Sequence, residues 1–580
     1  MLAALIRFAL TQRLLVLLAV ALLVAGGWYA YETTPVDAFP EVSVPQVKII
    51  LKAPGMTPEE VERRITAPLE VEMLGIPRQR MLRSVAKYGL TDLTIDFTEG
   101  TDVYWARQQV SERLAGFRDA LPAGVSGGIA PLTTPLGEMF MFTIEGGDLS
   151  ARDRRELLDW VIRPALRTVP GVADVNALGG HVKTWEVEPD PVRMASRGVT
   201  HAMLTEALAR NNRDDGAGRL TEGEETLLVR STGAVRDLDD LRGIVVHPDR
   251  EEPVRVADVA EVRFGSLTRY GAVTRNGEGE AVQGLVLGLR GANAREVVDG
   301  VRARLAELAP TLPDGVYLDV FYDRGELVSQ AVGTVRNALL QAMVLVVALL
   351  VAFLGNIRAA ITVALVLPLA ALATFVLMRV FGMSANLMSL GGLAIAIGML
   401  VDAAVVVTEN VVEELGRTRR SRLPRLHLVY RAAREVAPPL GAGTLIIIIV
   451  FLPLLTLEGL EGKLFAPVAI TIVFAIASAL LLSLTAIPVF ASFLLTTPTP
   501  AGARLSKRME AAYAPMLTWA LSHGRSVVVG ALLMLVAAAG AFTFVGKTFM
   551  PTMDEGTLVV QLEKLPSMDL ATSIDTDLRV

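Results

Sequence analysis

Seven apolar stretches constrain this chain more than any other feature, because each is long enough to cross a bilayer. They are Leu14–Ala30, Ala338–Leu354, Ala359–Val380, Leu387–Val407, Ala437–Leu457, Phe465–Leu495 and Val527–Val545. A spanning helix needs roughly 20 mostly apolar residues. Seven such stretches in 580 residues that are 52% hydrophobic exclude an ordinary soluble enzyme. The first stretch follows Arg7 and Arg13 but lacks a small-residue cleavage site before Glu32, so it reads as a retained span and not as a signal peptide.

Charge in the short loops predicts orientation. Arg417, Arg419, Arg420, Arg422, Arg425, Arg431 and Arg434 lie between the fourth and fifth stretches, and Arg504, Lys507, Arg508 and Arg525 between the sixth and seventh. Together with Arg7 and Arg13 they fall on one side, which the positive-inside rule makes the cytoplasm. The N-terminus is then inside, and the polar block 31–336 outside. A net charge of -6 carries no nucleic-acid footprint. Cysteine is absent, which excludes disulfides, thiolate metal sites and a Cys nucleophile. His181, His201, His247, His427 and His523 are scattered, with no metal-ligand spacing.

Within the polar block, Val47–Lys52 reads as a strand, and Thr57-Pro58-Glu59-Glu60 as a capping box opening a helix to about Leu74. Met81–Tyr88 and Thr91–Phe97 read as a strand pair, Tyr104–Leu121 as a helix, and Glu138–Glu145 as the closing strand. A second pass follows: a helix over Ala151–Thr168, strands at Val172–Asn176 and Lys183–Glu188, a turn at Pro191–Arg197 and a helix at Thr200–Asn211. This order predicts two ferredoxin-like units, with a β-rich insert at about 220–288. A helix at Asn293–Leu308 and a strand at Gly315–Tyr322 lead back to the membrane. After the seventh stretch, a strand is expected at Leu558–Leu562 and then a helix, so the chain is expected to end inside a domain.

One carboxylate stands deep in an apolar stretch. Asp402 lies within Asn386–Val411, and an ionised Asp at mid-membrane costs roughly 2.5 to 3.5 kcal/mol on insertion scales. Burial raises a carboxyl pKa and a nearby cation lowers it, so Asp402 is a candidate proton or ion site. Helical spacing puts it on one face with Met399, Val406 and Glu409, and makes Glu409 a candidate relay exit; packing alone and an interfacial charge are the competing readings. Gly391, Gly392, Ala394, Ala396 and Gly398 predict a close helix neighbour. Pro368 and Pro453 predict kinks. No GxxxxGK[ST] loop occurs: Gly462-Lys463-Leu464 has the Lys without the Ser or Thr. No GxSxG motif or Ser/His/Asp set stands out; if the chain is a pump, its energy must come from an ion gradient.

Gly398-Met-Leu-Val-Asp402-Ala-Ala-Val-Val-Val-Thr-Glu409-Asn410 resembles the fourth-helix motif of the resistance-nodulation-division (RND) superfamily of proton-driven efflux permeases. Thr34-Pro-Val-Asp-Ala-Phe-Pro40, Gly100-Thr-Asp-Val-Tyr-Trp-Ala-Arg107, Tyr322-Asp-Arg324 and Phe549-Met-Pro-Thr-Met-Asp-Glu-Gly556 are similar to further motifs of that family. The resemblance implies an α-helical integral membrane protein with a large periplasmic α+β head. That head comprises two ferredoxin-like porter subdomains and a β-rich docking subdomain. It maps a first transmembrane helix to 1–31, porter subdomain 1 to 32–135, and porter subdomain 2 to 136–335 with the docking insert at about 220–288. Transmembrane helices 2–6 fall in 336–499, a cytoplasmic connector in 500–525, helix 7 in 526–546 and the start of a second half in 547–580. The family further implies a homotrimer in the bacterial inner membrane, a periplasmic adaptor, an outer-membrane channel, contact with membrane lipid, no cofactor, and a Lys partner for Asp402 beyond Val580.

A single Asp with Ala403 beside it resembles the heavy-metal branch, the copper/silver or cobalt/zinc/cadmium pumps, whereas the multidrug branch usually pairs two Asp residues. Ala396 stands where some divalent-metal members carry a further Asp. Leu136-Gly137-Glu138 resembles a segment that supplies a carboxylate ligand in some zinc exporters, and oxygen ligands suit borderline divalent ions. Met139 and Met141 face the other way on that strand, and their thioethers suit Cu(I) or Ag(I). Solvated charge for Glu138 and core packing for the methionines remain open readings. Two functional alternatives also stand: multidrug or lipid efflux on the same fold, and a membrane receptor or scaffold with a ligand-binding head.

Overall fold

In the computed structural model of the chain, every residue is described except 1, 38–39, 135, 248–251, 355–356, 418–422, 496–503, 547–559 and 566. The described residues divide into two compact units: residues 1–137, 288–299 and 323–560, and residues 138–287, 300–322 and 561–580.

The first unit opens with α1 (Leu2–Thr11) and α2 (Arg13–Thr33), separated at Gln12. Next comes a small α+β layer: β1 (Gln46–Lys52), α3 (Pro58–Val61), α4 (Ala67–Met73), β2 (Gln79–Lys87), β3 (Leu90–Phe97), α5 (Val103–Phe117) and β4 (Ser126–Ile129). Alternation builds its core. Val47, Ile49 and Leu51 of β1 and Leu93, Ile95 and Phe97 of β3 are buried against Ile65, Leu69, Val110 and Leu114 of the helices. Each such side chain contributes roughly 1.5 to 3 kcal/mol. The strands run antiparallel in the order β2-β3-β1-β4. The closing strand is therefore Ser126–Ile129, in the place expected for Glu138–Glu145.

The capping box forms as read: Glu60 N–H donates to Thr57 Oγ1 and Thr57 N–H to Glu60. The helix it opens reaches Met73, with a π turn at Glu62–Thr66. Pro68 explains the turn, since it has no N–H to offer Arg64 and the ladder slips so that Ala67 N–H donates to Glu62.

The second unit repeats this device. β5 (Glu138–Gly146) leads to α6 (Ala151–Leu157), a π turn at Leu158–Ile162, and α7 (Arg163–Leu166), with Pro164 where Pro68 stood. β6 (Val172–Gly179), β7 (Lys183–Pro189), α8 (Pro191–Arg197) and α9 (His201–Asn211) follow, then an exposed hairpin of β8 (Asp215–Glu222) and β9 (Glu225–Ser231). Beyond it lie α10 (Leu238–Gly243), β10 (Val245–His247), β11 (Val254–Arg255), α11 (Val256–Val259), β12 (Ala260–Ser266), β13 (Val273–Arg275) and β14 (Gly279–Gly288). β14 pairs with β5, so it belongs to the main sheet and not to the insert. α12 (Ala294–Leu308) and β15 (Val316–Asp323) complete the passage, and β15 closes that sheet in the order β13-β14-β5-β15, with β6 on β14.

The chain then enters its long apolar helices: α13 (Arg324–Leu354), α14 (Ile357–Ala364), α15 (Val366–Val380), α16 (Leu387–Arg417), α17 (Arg425–Phe451) and α18 (Gly459–Leu494). α19 (Arg504–Ser522), α20 (Gly524–Phe542) and α21 (Leu570–Arg579) follow. Among the described residues, seven helical spans are long and apolar enough to cross a membrane, near the stretches read from sequence. Pro368 does accompany a break, at Leu365 between α14 and α15. Pro453 does not kink a span: it sits in a 3-10 turn, Leu452–Thr456, that ends α17, where no ladder N–H is required of it. Pro438 and Pro439 are the prolines inside α17. At the far end, residues 560–562 form no strand, while the expected helix is α21.

Candidate proton and cation sites

The long helix α16 is fixed at its start and divided lengthwise. Asn386 and Ser389 cap each other: Ser389 N–H donates to Asn386 Oδ1 and Asn386 N–H to Ser389 Oγ, both at 2.9 Å. One face, with Leu393, Ala396, Val407 and Val411, is buried in the helical core. Ile395, Gly398, Asp402, Glu409 and Glu413 recur at helical spacing on an exposed stripe. Asp402 therefore stands on the exposed stripe of α16, and no described residue forms a hydrogen bond or ion pair with it. Glu409 lies two turns further along the same stripe, and Asn410 beside it is tied to α17 by Nδ2 donating to the Ala432 carbonyl at 2.8 Å.

Close approach on the buried face depends on one glycine. A Cβ at Gly392 would lie 2.8 Å from the Val468 carbonyl oxygen of α18, whereas Gly391 and Gly398 face open space. Ala396 is fully buried, so the small residues divide between packing and the open stripe.

Three of the quoted segments prove to be structural neighbours. Arg324, only 6% exposed along its side chain, donates from Nε and Nη2 to Asp37 Oδ1 at 3.0 and 2.6 Å and from Nη1 to the Leu136 carbonyl. Three sequence motifs thus meet at one guanidinium. In a fourth, Asp102 caps α5 by accepting from Tyr104 and Trp105 N–H at 2.7 and 3.0 Å, and Arg107 donates to the Ala130 carbonyl at 2.8 Å. A further motif, Phe549–Gly556, lies outside the described residues, as do Arg419, Arg420 and Arg422.

Glu138 begins β5 as an exposed residue beside a register shift opposite Leu287. In the same strand Met139 is buried and Met141 half-buried. No group of three or more His, Asp or Glu side chains with metal-ligand proximity occurs among the described residues.

Sequence reading missed the residues that tie the helices to the first sheet. The segment between α2 and β1 is held by Ala385, which exchanges backbone hydrogen bonds with Pro35 and Asp37 at 2.8 and 3.2 Å. Arg290 donates to the carbonyls of Val44 and Ser43 at 3.2 and 2.9 Å. Lys463, at the start of α18, reaches the carbonyls of Val42 and Ser43 at 3.3 and 3.2 Å and Glu99 at 3.4 Å.

Comparison with known proteins agrees with this architecture. The chain is 40% identical over 586 residues to cation efflux system protein CzcA of Alcaligenes sp. (strain CT14), covering 98% of this chain and 55% of that protein. It is 34% identical over 578 residues to cation efflux system protein CusA of Escherichia coli (strain K12), covering 98% and 55%. An X-ray crystal structure of a heavy metal efflux pump (crystal form I) superposes with a TM-score of 0.84 at 32% identity, over 99% of this chain and 56% of that one. The chain thus spans about half the length of the curated relatives it matches. Residues 5–579 match the AcrB/AcrD/AcrF family, and the chain belongs to this family of RND permeases.

Proposed function

We propose that this chain is the proton-coupling part of an inner-membrane permease that exports heavy-metal cations by proton antiport, with Asp402 as the protonated group. The observation that carries this reading is the position of Asp402 on the exposed stripe of an otherwise apolar helix. Facing lipid, its charge would cost roughly 2.5 to 3.5 kcal/mol; facing a helix that brings a cation, it is stabilised when ionised. Protonation then decides whether that helix is held, which makes the carboxyl a two-state switch. Glu409, further along the same stripe, offers the proton its exit. The Arg-rich connections support a cytoplasmic position for that end, with the N-terminus inside and the head in the periplasm.

The permease works as a homotrimer, surrounded by membrane lipid and joined to a periplasmic adaptor and an outer-membrane channel. Cargo is a metal ion handled in the head, with Glu138 as an oxygen ligand and Met139 and Met141 as the thioether alternative. The metal branch is supported by the relatives' names and by the single carboxylate at Asp402–Ala403. A second reading, amphiphilic cargo, draws on a cavity of about 550 Å³ in the helical part whose walls include Trp28, Tyr31, Met343, Phe375 and Leu390. A resistance profile separates them in cells expressing the pump from its native gene. Protection against zinc, cobalt, copper or silver salts, lost in Asp402→Asn and absent for dyes and detergents, is the expected result; protection against dyes alone would move the cargo to the second reading.

A further inference from the structure

The loop leaving α2 gathers the outer ends of three membrane helices immediately before it becomes β1. α16 is attached through the backbone pair of Ala385 with Pro35 and Asp37. α13 is attached through Arg324 and Asp37. The link from α18 is of another kind. Lys463 spans 421 and 420 residues of sequence to the carbonyls of Val42 and Ser43. The Ser43 carbonyl accepts from both Lys463 and Arg290, and Gln46 opens β1 three residues later. Lys463 also pairs with Glu99, in the turn between β3 and α5, so it touches both loops at one end of the first sheet. β1 lies between β3 and β4 in that sheet.

On the other side, α18 packs against α16 so closely that a Cβ at Gly392 would strike the Val468 backbone. Val468 is five residues from Lys463, little more than one turn. A shift of α16 therefore displaces α18 near the point where Lys463 leaves it, since packed helices transmit displacement and do not absorb it.

We infer that Lys463 is a positioning residue, the tie through which protonation at Asp402 moves the edge of the head formed by Val42–Val44 and β1. Resting on the proton-switch reading above, the inference adds the route. An ammonium suits such a tie. It holds two carbonyls and a carboxylate as a point charge on a flexible stem, so the contact survives small displacements that a rigid fork would break.

The test is a double-mutant comparison at one pH in the complete pump as its gene encodes it, purified in detergent. Asp402→Asn stands for the protonated carboxyl. Amide exchange over Val47–Lys52 is compared between wild type and D402N, first with Lys463 and then in the K463M background. The expected result is a change of about fivefold between wild type and D402N, abolished by K463M and restored by K463R. Melting temperature and elution volume should stay those of wild type. An equal response to D402N in the K463M background would overturn the inference. So would a K463M protein that loses stability in proportion to its response, which is ordinary packing. Should K463M fail to accumulate, Lys463→Leu, which likewise offers the Val42 and Ser43 carbonyls no donor, is judged by the same criteria. Proton flux of D402N, measured in parallel, tests the switch reading separately: flux lost with exchange unchanged sinks the route and leaves the switch standing.

Discussion

Arg324 and Asp37 stand 287 residues apart in sequence and form an ion pair at 2.6 Å, with the guanidinium almost wholly buried. The pair ties the start of α13 to the loop after α2, and the same guanidinium takes the Leu136 carbonyl. Removing one partner of a buried pair leaves an uncompensated charge or empty donors, at a cost of about 3 to 5 kcal/mol. Arg324→Ala is expected to lower the melting temperature of the purified protein markedly. Arg324→Lys should recover only part, because a point charge cannot reproduce the fork. A melting curve for R324A that overlays wild type would show that the pair does not hold the two segments together.

The contact of α16 with α18 makes a graded prediction. With 2.8 Å between a new Cβ and the Val468 oxygen, Gly392→Ala should cost about 1 to 3 kcal/mol by overpacking. Gly391→Ala, which faces open space, should be neutral or slightly stabilising in the same thermal assay. Equal effects at the two positions would contradict the close approach.

At the start of α3, Thr57→Ala removes the side chain that accepts Glu60 N–H. Loss of such a cap costs about 1 kcal/mol. Exchange should accelerate at the first amides of that helix, with transport untouched, because nothing in the site depends on this turn.

Acid should loosen the base of the exposed hairpin. Asp214 accepts the N–H groups of Ala234 and Gly233 at 3.1 and 2.9 Å, and these bonds hold its carboxyl below the usual Asp range. A group depressed in the folded state stabilises fully above its unfolded pKa, about 3.9 for Asp, and loses that contribution as pH falls through the folded value. Amide exchange at Gly233 and Ala234, corrected for the intrinsic rate, should be protected at neutral pH and lose protection well below pH ~4. Asp214→Asn should show a flat profile over the same range.

Much of the membrane part was legible because its rule is local. An apolar run of the right length must be a helix when lipid offers no hydrogen bonds, and a period of 3.6 puts Asp402 and Glu409 on one face by spacing alone. The capping box was legible for the same reason, being four consecutive residues. β4 was not: Ser126-Gly127-Gly128-Ile129 carries turn chemistry. Yet Gly127 has φ +119° and a Cβ there would lie 2.3 Å from the Ile50 oxygen, so it is the close strand pairing itself that requires glycine. Pro453 misled because a proline near a span's end resembles one within it.

Least legible were Lys463, Arg290 and Arg324. Their partners are mostly carbonyls hundreds of residues away, and a carbonyl leaves no mark in the sequence. Lys463 attracted notice only as an incomplete phosphate-loop match, which is a different chemistry from the one it performs.

Whether Asp402 couples proton entry to cation export is decided by transport through the complete pump in liposomes under an imposed pH gradient. Wild type should move zinc or copper only with the gradient and carry protons in the opposite direction, and Asp402→Asn should do neither while keeping its wild-type melting temperature. Gradient-driven cation movement by D402N at the wild-type rate would contradict the coupling.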